Sequence, residues 1–377
     1  MLIYIGLILC GFLLCLLKGN RKYIAYRFFI SSLIFILCFG YTTGSDWRNY
    51  EMVYTKLDIT DIWSNMVFEP GYMLYMCFFK ILDVDFWVFW CFTKCLLFVG
   101  LIYFLHKNNF NHKLFVLTFW LGLFGYYLFI DNPMRMLIAM TLFLFAITKY
   151  LNGGRVSSIV FIILAISFHI TAIVLPLYIK FLTRKIPKII WISLFFVFNF
   201  LLASKDLLYY IANFLFGQIP YLQAKIYAYF IDVDADTKFL SVGFIVNAIF
   251  FVLLLYKYDN VLGSRFKLFS YNATILFICI YRLTLCLDIM ARFQYYLYIF
   301  YIIGLLILYD KVKTNSKIVL GTIYIVMAFY FSSSKITKGS RYIPYTNYIV
   351  FSLFEDDLTY DERLIYNETH SPYEEIE

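Results

Sequence analysis

The sequence predicts an all-α fold, a polytopic integral membrane helical bundle of about 10–12 transmembrane helices with re-entrant segments. Three observations predict it. Of 377 residues, 63% are hydrophobic and only 15% charged, more apolar surface than a soluble chain of this length can bury. Apolar stretches near or above the roughly 18 residues needed to cross a bilayer recur from end to end. The short connectors between them carry most of the positive charge, the bias that marks a cytoplasmic face.

The first segment, 2–17, has no basic residues before it, and Lys18, Arg21 and Lys22 follow it. It therefore reads as an uncleaved first helix with its N-terminus outside, not as a signal peptide. Further spans are expected near 26–43, 85–105, 113–130, 134–151, 188–204, 240–256, 267–286, 290–309 and 316–332. The connectors 18–27, 106–113, 149–155, 180–188, 257–267 and 310–317 hold 18 of the 32 Lys and Arg, against two of the 24 acidic residues, Asp259 and Asp310. They are placed in the cytoplasm, and the chain reads as a multi-pass inner-membrane protein whose unusual charged residues gather on the non-cytoplasmic side. The 43 Phe and 35 Tyr suit lipid interfaces, and equally a cavity for sugars or a lipid chain.

Two stretches do not fit as simple spans. Residues 156–182 form one apolar run, about 40 Å long as a single helix. Basic residues flank both of its ends, Lys149 and Arg155 before and Lys180, Arg184 and Lys185 after. Two half-helices meeting near His169, with Pro176 in the returning arm, would bring both ends to one face; a single tilted helix is the alternative. The stretch from Glu69 to Leu82 is too short to cross and reads as a re-entrant or interfacial helix. Broken helices are tolerated in a bundle where they line a cavity.

Residues 1–332 are thus expected to form a single transmembrane domain with periplasmic loops at about 44–84 and 205–239. Residues 333–377 form a polar tail, rich in Asp and Glu and expected on the periplasmic side. The second loop is amphipathic and aromatic, with Tyr209, Tyr210, Tyr221, Tyr227 and Tyr229, and should lie across the outer mouth of the bundle. The eight cysteines, Cys10 through Cys286, sit in apolar segments and read as small buried hydrophobes.

Ionisable groups inside or at the edge of a membrane cost several kcal/mol unless paired or hydrated, so each needs a reason. Asp46, Trp47, Arg48 and Tyr50 lie just outside the second span. They read either as a solvated loop start or as a sugar site, where acids accept hydroxyl hydrogen bonds and aromatic rings stack on sugar faces. Glu69 precedes Pro70, Gly71 and Tyr72, so it is a dipole-favoured acid at a helix start or a carboxylate aimed into a cavity. Asp131 or Asn132 can cap the next span, with Pro133 at its first turn. Arg135 then sits in that first turn, against the positive end of its own helix dipole, and calls for an anionic partner, either Asp131 or a ligand. His169 is a histidine inside an apolar segment, a packing residue or a proton carrier. Arg282 and Arg292 flank a tight outer turn with Asp288 between them, and their two guanidiniums suit phosphate oxygens. Lys94 lies mid-span and is expected in an ion pair or a polar cavity wall. Asp232, Asp234 and Asp236 look like the opening of a calcium loop. The sixth position is not Gly and the twelfth is Gly243 rather than Glu, so no metal site is expected.

In order along the chain stand Gly44-Ser-Asp46-Trp47-x-x-Tyr50, Glu69-Pro-Gly71-Tyr72, Arg135 followed by Ile138-Ala139, Phe168-His169-Ile-Thr-Ala172, and Arg292-Phe293-x-x-Tyr296. The ordered set resembles the EpsG-like family of bacterial polysaccharide polymerases, which includes Wzy-type O-antigen polymerases. One departure is Met136, where the family's arginine motif usually carries a polar residue. The resemblance implies a metal-independent glycosyltransferase without a cofactor, acting on undecaprenyl-diphosphate-linked glycans at the periplasmic face. It implies a chain-length regulator and a flippase as further partners, and no nucleic acid. On that reading Arg135, Arg282 and Arg292 hold the diphosphate, and Asp46, Glu69 and His169 compete as general base. Trp47, Arg48, Tyr50 and Tyr72 then bind sugar. A lipid-linked oligosaccharide flippase or an O-antigen ligase would want a similar cationic, aromatic cavity.

Overall fold

The structure is a computed structural model. It describes residues 1–62, 66–108, 112–202, 204–216, 218, 241–261, 264–286, 288–337, 341–354 and 358–370. The Asp232, Asp234 and Asp236 triplet and most of the expected loop 205–239 lie outside the described residues.

The chain is an all-α polytopic membrane protein with almost no strand. Among the described residues, four helices are each long and apolar enough to cross a bilayer: α5 (Phe86–Lys107), α7 (Met134–Leu151), α13 (Arg265–Cys286) and α16 (Thr314–Ile336). Shorter apolar helices accompany them: α1 (Leu2–Leu14), α6 (Lys113–Trp120), α8 (Arg155–Phe168), α9 (Leu175–Leu182) and α12 (Val242–Lys257). Several of the expected spans are composite. Helix α2 (Asn20–Leu33) runs on as a wide π turn over Ile34–Cys38, and α6 continues through π turns over Leu121–Gly125 and Tyr127–Asp131. Helix α10 (Lys188–Phe196) continues likewise over Val197–Leu201, and α11 (Lys205–Phe216) follows it. Such turns are common where a helix is interrupted for a function.

The chain divides into two compact units, one of residues 1–170 and 319–377 and the other of residues 171–318. In the first unit α7 packs along α8 and against α5, and α1 packs on α6. Two shorter helices, α3 (Asp46–Lys56) and α4 (Pro70–Ile81), stand at the end where α5 and α7 begin. Twelve residues make α4 about 18 Å long, too short to cross. It turns directly into α5 through Asp83, which takes a positive φ of 52°. The apolar run 156–182 breaks where expected: α8 ends at Phe168, His169 is extended, and a 3-10 turn over Ile170–Val174 leads into α9.

The tail is folded where it is described. A two-residue strand at Thr346–Asn347 pairs antiparallel with Gly40–Tyr41. Helices α17 (Tyr348–Phe354) and α18 (Tyr360–His370) follow, with Asn367 of α18 donating to the Thr42 carbonyl at 2.7 Å.

In the second unit α13 is the central helix, packed by α10, α12 and α15 (Tyr298–Lys311). The short α14 (Asp288–Tyr295) connects α13 to α15.

Candidate functional site

Four separate stretches of the first unit converge on one charged cluster. Pro70 starts α4 at its first position and leaves Glu69 extended ahead of it, at the N-cap. A proline here loses no helical hydrogen bond, and the carboxylate faces the positive end of the helix. Gly71 sets α4 close against the end of α8, because a Cβ at this position would run into the Ser167 side chain and carbonyl. Close approach lets Glu69 Oε1 accept the Ile170 N–H at 3.3 Å, immediately after His169.

The other oxygen of Glu69 takes the Arg135 guanidinium in an ion pair. Arg135 Nε donates to the Tyr50 hydroxyl at 3.0 Å, and its guanidinium lies over the Phe68 ring at 4.5 Å. Asp131, one of the two partners the sequence offered, is engaged elsewhere. It accepts from the Ser45 backbone and hydroxyl at 3.2 and 3.0 Å and faces Arg341 at 3.6 Å. Nor does either candidate cap the helix with its side chain: Pro133 stands at the N-cap and Asn132 takes a left-handed φ of 56°. The Asn132 amide is buried, with no hydrogen-bond partner for either atom among the described residues.

Around the pair lies an aromatic wall. Tyr50 stacks on Phe68 at 4.9 Å and meets Tyr72 and Trp90 at 5.3 Å each. Burial pushes the Tyr50 phenol up, opposed by the neighbouring Arg135 charge. Tyr72 is fully buried, and its hydroxyl has no hydrogen-bond partner among the described residues. Asp46 opens α3 one turn ahead of Tyr50, close enough for its charge to act on Tyr50 and Tyr72. His169 is 5% exposed, and its backbone N–H closes the last turn of α8 on Ala165 at 2.9 Å.

The remaining residues singled out in the sequence go elsewhere. Trp47 is 1% exposed, donates to the Gly44 carbonyl at 3.1 Å and packs on Trp87 at 5.3 Å, so it seats α3 on α5. Arg48 turns to the tail, 3.4 Å from Glu368. Lys94 is wholly buried beside Trp90, and its ammonium has no hydrogen-bond partner among the described residues; the expected ion pair is not there. Arg282 and Arg292 belong to the second unit. Arg282 is buried, donates to the Asn199 carbonyl at 2.9 Å and lies over the Phe244 ring at 5.6 Å. Arg292 is half-buried in the last turn of α14.

Sequence reasoning missed Glu51, which is 6% exposed and ion-paired with Arg363 of α18. The signal was present: Glu51 falls at helical spacing between Trp47 and Tyr54, on the buried face of α3. Burial pushes its carboxyl up, against the pull of Arg363.

No curated protein and no solved structure matches the chain significantly. The EpsG family model matches residues 23–347, which takes in every element of the cluster and both strands of the tail pairing. The chain belongs to the EpsG family.

Proposed function

We propose that this protein is a polymerase that joins undecaprenyl-diphosphate-linked oligosaccharide repeat units into O-antigen, capsular or exopolysaccharide at the periplasmic face of the inner membrane. Membership of the EpsG family supports a polymerase-like role in polysaccharide synthesis. The observation that carries the reading is the clamp of Glu69, Arg135 and Tyr50, which gathers residues from three stretches of chain around one fixed cation.

In the proposed reaction a sugar hydroxyl of one lipid-linked unit attacks the anomeric carbon of the other. The bond from that carbon to the diphosphate oxygen breaks, and the diphosphate leaves with the electron pair. Charge growing on that oxygen calls for a donor already aimed and unable to drift. Arg135 meets this need because Glu69 and Tyr50 hold it from two sides, and the reaction needs no metal on this account. Arg282 and Arg292 are proposed as further diphosphate ligands on the strength of the family resemblance.

The attacking hydroxyl must lose its proton to a base. Glu69 already has both oxygens engaged, by Arg135 and by the Ile170 N–H. It therefore acts best as a positioning residue, which leaves His169 and Asp46 as the candidate bases. Tyr50 and Tyr72 supply the aromatic wall for the sugar.

The test is a surface polysaccharide gel from a deletion strain complemented with wild type, Arg135→Ala or His169→Ala, each checked for membrane insertion. Loss of the ladder with single-repeat material kept supports polymerisation. Loss of all surface repeats points to ligation or export, and an unchanged ladder rejects the reading.

A further inference from the structure

An apolar groove of about 490 Å³ opens beside the charged cluster, within the first unit. Its long wall is α5 from Thr93 to Tyr103, opposed by α7 from Ile138 to Phe145. Ten helical rises make it about 15 Å long, half of the roughly 30 Å hydrocarbon core. Its near end is lined by Tyr75 and Phe168, whose rings meet edge-on at 6.0 Å.

Every residue at that near end adjoins the cluster. Phe168 immediately precedes His169. Tyr75 follows Tyr72 by one turn, with the two rings 6.5 Å apart. Ile138 follows Arg135 by one turn of α7. Along its length the groove offers little to a polar ligand. The hydroxyls of Tyr75 and Thr93 bond each other at 3.0 Å, and Thr93 and Thr141 also donate to carbonyls of their own helices at 2.8 and 2.9 Å. Leu96, Val99 and Tyr103 are about half exposed, so the groove is open along its side. A channel with apolar walls and a fixed cation at one end complements an anionic head carrying a long hydrocarbon chain.

We infer that this groove holds the first isoprene units of a polyprenyl diphosphate, with the diphosphate at Arg135 and the chain running between α5 and α7. The inference rests on the polymerase reading above and adds to it where the lipid lies. A chain seated this way fixes the anomeric carbon at the cluster by its own tail, so the sugar need not be gripped strongly. Binding energy is then drawn from a part of the substrate that does not react.

The experiment uses the whole protein in nanodiscs and undecaprenyl diphosphate bearing a benzophenone on its chain. Cross-links are expected within 93–103 and 138–145, competed by unlabelled undecaprenyl diphosphate and not by equal phosphatidylglycerol. Leu142→Trp, or Val99→Trp should the first misfold, is expected to cut labelling at least tenfold. Val252→Trp, on an exposed face of α12 in the other unit, leaves it unchanged. Equal competition by phosphatidylglycerol would make the groove an ordinary lipid contact and overturn the inference. Specific labelling that the tryptophans do not touch overturns it too, while leaving the polymerase reading intact. No specific labelling anywhere in the protein sinks both.

Discussion

Arg135 is steadied by a carboxylate and a phenol that arrive from other stretches of the chain, and each should leave a different trace when removed. Arg135→Lys keeps the charge and loses the fork that reaches Glu69 and Tyr50 together. Polymer formation is expected to fall by about 10²–10³-fold, the usual cost of a lost transition-state donor, in membranes assayed with lipid-linked repeats. Lys94→Met should do the reverse for stability. It replaces a buried ammonium that has no hydrogen-bond partner among the described residues with an apolar side chain of similar length, and thermal unfolding in detergent is expected to shift upward. An unchanged or lower midpoint would mean that Lys94 is held by something the cation–π contact with Trp90 does not convey. Residue identities at the cluster were legible because helix starts and buried charges leave local marks. Partnership was not. Asp131 lies four residues from Arg135 and Glu69 lies 66 away, so the acid that sequence proximity offered is not the one that pairs.

Elements were legible by their lengths and breaks. The short α4 and the interruption at His169 both follow from runs too short, or too flanked by charge, to be plain spans. What hid was the wide turns at 34–38, 121–125 and 127–131, because a π turn changes backbone pairing without changing apolar content. Gly71→Ala should test the seating of α4 on α8. The added methyl meets Ser167, and such overpacking costs about 1–3 kcal/mol, read as a lower unfolding midpoint with loss of polymer. The docking of α18 carries its own pH dependence. Burial raises the Glu51 carboxyl above its ordinary value, so α3 binds a proton more readily with the tail docked on it than without. Docking is therefore favoured as pH falls and weakens as pH rises through the raised value. Arg363→Ala strands the charged form without its partner, at about 3–5 kcal/mol for a broken buried pair. Limited proteolysis of the tail should be faster in this variant at pH 8 than at pH 5.

On the scale of the whole molecule, the membrane class was legible because composition and charge bias are global quantities. The division at 170 and 319 was not, since apolar runs look alike in either unit. The basic connectors predict an orientation that reporter fusions can check. Cytoplasmic reporters fused at 152, 185 and 313 are expected to be active, and periplasmic reporters at 60 and 356; the reverse pattern would turn the protein over. One pairing described above also sets a timetable. Gly44 donates its N–H to the Arg341 carbonyl at 2.7 Å, and Thr42 and Glu51 wait for Asn367 and Arg363. Roughly 300 residues must be made between the two sides of that seam, about 15–60 s of translation at typical rates. Throughout that time the nascent α3 has no lid, and a ribosome that stalls before residue 341 leaves a protein threaded through the bilayer but never closed. The seam is thus a late event of folding by its place in the sequence, while Tyr50, Glu69 and Arg135 can meet as soon as residue 135 has been made.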